Sequence, residues 1–212
     1  MHADQLIERG YRRVLVEELP SVLSQLAPWV TWHAQPASLD TWWSAWGAPR
    51  REVLWLVQEL ASASCSATEL RLESHRGAIV TVGQPVAPAQ LERFPAAIRP
   101  FLATHSTIEA SESGFSAGLD INLDEDDFIA QASESGFDDL FPFIRRDETT
   151  YGVARTGEVL ELSPANEGPA PHIVGDVGAL VMHQLMQALF PDGRNEELHA
   201  LRARLARARA LT

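Results

Sequence analysis

Thr68-Glu-Leu-Arg-Leu-Glu-Ser-His-Arg-Gly-Ala-Ile-Val-Thr-Val82 is the stretch that decides the fold class. Leu70 and Leu72 alternate with Glu69, Arg71 and Glu73, the two-residue period of a strand with one buried face. His75-Arg76-Gly77 supplies a turn, and Ala78 to Val82 returns as a second apolar run. The stretch predicts a β-hairpin. Downstream, Leu119, Ile121 and Leu123 alternate with Asp120, Asn122 and Asp124, and Phe143-Ile144, Thr150 to Arg155 and Glu158 to Leu162 also read as strands. The last two are joined at Thr156-Gly157. Short turns, not helical crossovers, link consecutive strands, so the sheet is expected to be mainly antiparallel.

Helices are expected around this sheet. Pro88 opens one whose Leu91, Phe94, Ile98 and Phe101 or Leu102 form an apolar stripe, kinked or split by Pro95 and Pro100. A short helix starts near Asp126 and ends before Gly136, and residues 163–172, rich in Pro and Gly, read as a loop. Val177 to Phe190 reads as a strong helix with a polar face of His183, Gln184 and Gln187. Residues 194–210 form a last helix, with Leu198, Leu201 and Leu205 as its large apolar positions.

The N-terminal part reads differently. Residues 4–19 show apolar positions at three- and four-residue steps, a helical period that Pro20 closes. Ser38 to Trp46 reads as a short helix stopped by Gly47, and Pro49 opens a segment running to Leu60. Within it, Val53 to Val57 also fits a buried strand, since periodicity does not arbitrate short apolar runs. The expectation is an α+β fold: a helical Trp-rich region at 1–66, an α+β domain with packed helices at 67–190, and an Arg/Ala-rich C-terminal helix at 191–212.

Composition narrows the function. The 212 residues are 45% hydrophobic and 22% charged, ordinary values for a globular chain able to bury a sizeable core. Twenty-nine acids against seventeen bases give a formal charge of −12, which disfavours direct contact with nucleic acid or anionic lipid and favours a basic protein partner. The bases are all Arg, as the codon usage of a GC-rich genome would give. The start has no apolar leader and no stretch reaches the ~18 apolar residues of a membrane span, which predicts a cytoplasmic protein. Cys65, the single cysteine, excludes an intrachain disulfide or a Cys-based zinc site.

Two clusters stand out. Between Glu109 and Glu148 twelve carboxylates face only Arg145 and Arg146, a local charge of −10. One reading is a solvated segment whose Asp124 to Asp127 cap a helix; the other is a surface of Asp120, Asp124, Asp126, Asp127, Asp138 and Asp139 that steers a basic partner. The second cluster is aromatic, because all six tryptophans lie between residues 29 and 55. Trp42 and Trp46 share one face of a short helix and Trp43 points away, so the three serve either as core anchors or as partner contacts. The alternative to a partner-binding module is a structural or adaptor subunit, a homodimer through this region, with an enzyme of unrecognised type as the third reading.

Other chemistry finds no motif. Asp120, Asn122 and Asp124 fit the opening of a calcium loop, but Glu125 replaces the turn glycine and Gln131 the closing Glu. His2, His33, His75, His105, His172, His183 and His199 include no pair at helical metal spacing. Nucleophile elbows, phosphate loops and dinucleotide fingerprints are absent from the sequence. No catalytic residue, metal site or cofactor is therefore expected. The hexapeptide Ala-Ser-Glu-Ser-Gly-Phe occurs at 110–115 and again at 132–137, too few copies for a repeat protein.

Four further features form a pattern. They are Phe94-Pro-Ala-Ala-Ile98-Arg-Pro-Phe101-Leu102, Leu140-Phe-Pro142-Phe-Ile144 before Asp147-Glu148, the hairpin Tyr151 to Val159, and the helix Val177 to Leu189. In this order, over about residues 84–190, they resemble the SUKH superfamily, α+β proteins that include many bacterial toxin-immunity proteins. The sequence departs from it where Thr104-His105-Ser106-Thr107 replaces the glycines that usually follow the first motif. The resemblance implies a binding scaffold without catalytic residues, and an immunity protein that neutralises a toxin.

Overall fold

The hairpin expected from 69–82 is part of a larger sheet in the computed structural model. The structure describes residues 12–15, 45–49, 53, 56, 60–65, 68–74, 76–119, 121, 128, 132–133, 139–162, 172–174 and 177–190. Among them are ten strands: β1 (Arg12–Leu15), β2 (Leu60–Cys65), β3 (Glu69–Ser74), β4 (Ile79–Gly83), β5 (Thr107–Ala110), β6 (Phe115–Gly118), β7 (Phe141–Arg146), β8 (Thr149–Val153), β9 (Glu158–Leu162) and β10 (His172–Val174). Each strand lies beside the next in sequence, and all pairings are antiparallel. The mixed α+β class with an antiparallel sheet is as expected from the short turns.

Register makes one buried row across six strands. Leu70 pairs with Val82, Val82 with Ile108, Ile108 with Ala117, Ala117 with Ile144 and Ile144 with Tyr151. All six side chains are buried. A one-residue slip in any of these pairings would turn a whole strand's apolar set to the other face, so the row fixes the register.

Above it lie the helices. The predicted proline-split helix is α1 (Pro88–Leu91), a 3-10 turn at Ala96–Ile98 and α2 (Arg99–Leu102). Ile98, Phe101 and Leu102 of its apolar stripe are buried. The strong C-terminal helix is α3 (Val177–Leu189), which packs across β5, β6 and β7. Ala110 and Ala117, both buried, keep these strands low enough for a helix to cross. A smaller cluster of Phe128, Ala132, Leu140, Ala154, Leu160 and Leu162 covers the opposite face: Val159 belongs to the main core and its neighbour Leu160 to this one.

Several elements differ from the sequence reading. Residues 12–15, inside the stretch read as a helix, form β1, and residues 60–65, which begin where the segment opened by Pro49 was expected to end, form β2. Leu-Ala-Ser-Ala-Ser-Cys has little strand propensity of its own; pairing with β1 on one side and β3 on the other supplies it. This pairing also carries the sheet to both sides of residue 66. β6 ends at Gly118, just before the strand expected from Leu119, with Phe115 and Ala117 at its buried positions; Leu119 follows in a bend, and residues 120 and 122–127 lie outside the described residues. β5 and β10 were not legible as strands. Val53 and Leu56, the described residues of that apolar run, are helical and fully buried. The helix expected from 194 lies outside the described residues, as does most of 1–44.

Candidate functional site

The turn between β7 and β8 is only two residues long, Asp147-Glu148, because Arg146 pairs with Thr149. Asp147 has φ +53, the sign found at the first position of a type II′ hairpin turn, where glycine is the usual occupant. Two hydrogen bonds hold it there. Its N–H donates to the Gly114 carbonyl at 2.9 Å, and its own carbonyl accepts from Arg145 Nε at 3.0 Å. Gly114, itself at φ +63, leaves the space that the Asp147 carboxylate fills, since a Cβ at 114 would collide with Oδ1.

Beside this turn α3 presents Gln184 and Gln187, one helical turn apart on the same face. Arg146 Nη1 donates to Oε1 of Gln187 and, at 3.4 Å, to Oε1 of Gln184. Gln184 Nε2 in turn donates to the Tyr151 hydroxyl at 2.8 Å. Gln184 and Tyr151 are buried, so this chain of bonds is shielded from water and fixes the guanidinium from below. The carboxylate of Asp147 reaches Arg146 Nε only at 3.9 Å and is 71% exposed, which makes it a weak ion pair. Arg146, Asp147, Glu148, Thr149, Tyr151, Gln184 and Gln187 line a shallow open groove of about 470 Å³.

The polar face expected on α3 thus exists, but it does not face solvent. His183 and Gln184 are buried and Gln187 is half-buried, because the sheet takes one side of the helix and the segment around Gly47 another. Its two glutamines hold Arg146, and Gln184 also holds Tyr151. Arg146 and Tyr151 were not among the expected contact residues. The signal that could have found them is the pair Gln184 and Gln187 on a helix otherwise almost wholly apolar.

Of the expected partner-binding acids, Asp139 is described. It is exposed and stands 3.8 Å from Arg155 Nε. Asp120, Asp124, Asp126, Asp127 and Asp138 lie outside the described residues, as do Trp42 and Trp43. Trp46 takes the core alternative: it is 4% exposed, with Phe101 at 5.3 Å and His105 at 6.0 Å between ring centroids, both edge-on. It is unavailable as a surface contact in this fold, because α2 and the following turn close over it. Burial holds His105 well below its ordinary value of 6.5, so it is neutral in the folded protein at physiological pH. Among the described residues no three His, Cys, Asp or Glu side chains come together as a metal site would need, and no helix is long and apolar enough to cross a membrane.

No protein-family model, curated protein or solved structure matches the chain. The functional reading therefore rests on the site itself.

Proposed function

We propose that the protein is a cytoplasmic, non-catalytic module that binds a basic protein, of the immunity type that neutralises a toxin. The observation that carries this reading is the groove at the β7–β8 turn. It is open, polar and built on a fixed floor, with Arg146 oriented by two glutamines and the exposed Asp147 and Glu148 beside it. Open polar surfaces with a pre-positioned Arg suit protein contacts, where that residue type is enriched at energetic centres. The net charge of −12 gives such a surface long-range attraction for a positively charged partner.

The resemblance to the SUKH superfamily supports the same reading. The split helix at 88–102, the two hairpins of β7–β8 and β8–β9, and the closing helix α3 follow one another in the order that the likeness requires. The groove lies between the turn Asp147-Glu148 and α3, two of the features on which the likeness was read. This is an analogy at the level of element order, and the function is argued from the groove.

The experiment is to cross-link the protein in its source cells, identify what it holds, and measure association of the purified pair at low and physiological ionic strength. A partner of net positive charge, an on-rate that falls with salt, and rescue of cells expressing that partner are the expected results. A captured partner with no salt dependence and no toxicity would overturn the reading.

A further inference from the structure

The bonds around Arg146 point to what the groove receives. Nη1 is engaged by Gln184 and Gln187, and Nε stands 3.9 Å from a solvent-exposed carboxylate. Nη2 makes no hydrogen bond to any described residue. The guanidinium thus keeps a donor edge in a groove whose floor is already ordered, so a ligand that uses it need not immobilise the side chain first.

The charges select the ligand. Among the groove-lining residues one cation faces two carboxylates, and the chain as a whole is strongly acidic. A carboxylate or phosphate approaching Arg146 would meet Asp147 and Glu148 on the way in. A neutral acceptor avoids that repulsion, and a cation next to it satisfies the two acids. An extended peptide with a basic side chain carries both groups within one residue.

We infer that the groove takes a basic loop of the partner in extended form, with a main-chain carbonyl accepting from Arg146 and an adjacent Lys or Arg side chain set against Asp147 and Glu148. This deepens the protein-binding reading and rests on it. The hydrogen bonds of Asp147 to Gly114 and Arg145 hold the turn in place while the partner docks. Arg146 acts here as the contact that reads the peptide backbone, and the two acids as the contact that selects its charge.

The test uses the full chain and three probes: the capped heptapeptide Gly-Ser-Gly-Arg-Gly-Ser-Gly, its Glu-centred counterpart, and arginine amide alone. Side-chain nitrogen resonances of Arg146, Gln184 and Gln187 are followed during titration. The Arg-centred peptide is expected to shift all three in a saturable way, and the other two probes to leave them unmoved. Asp147→Asn with Glu148→Gln should erase the preference for Arg over Glu. Arg146→Lys, which keeps the charge but loses the planar donor edge, should weaken binding about tenfold; its unfolding midpoint confirms that the fold survives. Shifts confined to other acidic surfaces, equal binding of arginine amide, or no saturable shift in the groove each overturn this inference. The binding reading is then still decided by the salt dependence of the captured partner.

Discussion

Gly178 in the first turn of α3 lies directly against Gly47: a Cβ atom at 178 would sit 2.5 Å from the Gly47 carbonyl oxygen and 2.9 Å from the Ala48 nitrogen. This approach seats the segment carrying Trp46 and Ala48 on the helix. Both contacts are backbone atoms, which cannot swing aside as a long side chain would. Gly178→Ala should therefore destabilise the protein by about 1–3 kcal/mol through overpacking, even though alanine is the better helix former. Urea unfolding measures it, and an unchanged midpoint would show that the two segments are not in contact.

Tyr151 and Gln184 meet through a buried hydrogen bond 33 positions apart in sequence. Tyr151→Phe leaves the Gln184 amide with a donor that water reaches poorly, and should cost about 1–3 kcal/mol. Gln184→Met removes the amide as well. The double variant is expected to cost less than the sum of the two single changes, since it strands no buried donor. Additive effects in that cycle would count against the bond.

His105 makes stability depend on pH. Its folded-state pKa is depressed by burial, so between its ordinary value of 6.5 and the lower folded value the unfolded chain binds a proton that the folded chain does not. Stability from this group is fully present above pH 6.5 and falls as the solution is acidified below it, approaching about 1.4 kcal/mol per pH unit. His105→Gln should remove this component of the slope between pH 6.5 and about 5, above the range where carboxylates titrate. Comparing wild type and variant cancels the other histidines. Equal slopes would mean that His105 is not buried as described.

Asp139 and Arg155 test the steering role of the acids. Their ion pair is exposed on both sides, so Asp139→Asn should leave the unfolding midpoint unchanged to within about 0.5 kcal/mol. Combined in pairs with Asp120, Asp124, Asp126, Asp127 or Asp138 changed to Asn, it should slow association with a basic partner and flatten the salt dependence. An unaltered on-rate across these variants would reduce the acidic segment to a solvated face.

What local sequence determined can be traced to periods of two to four residues. Alternation in Glu69 to Ser74 specified a strand, because side chains of a strand alternate faces wherever the strand lies, and the turn residues around Gly77 and Gly157 marked where the neighbouring apolar runs return as strands. Pro95 and Pro100 specified a split helix, because proline lacks the donor a continuous helix needs. An almost unbroken apolar run specified α3. The tertiary structure alone decided the rest. Arg12 to Leu15 carry a helical period yet form a strand, since pairing with Ser62 to Cys65 outweighs a weak local preference. Trp46 is buried because Phe101 and His105, more than fifty residues on, stack against it. Gln184 left solvent, and Arg146 became the floor of a groove, only when α3 was laid across β5, β6 and β7. Which groups meet across such distances depends on the register of the whole sheet, and no window of neighbouring residues contains it.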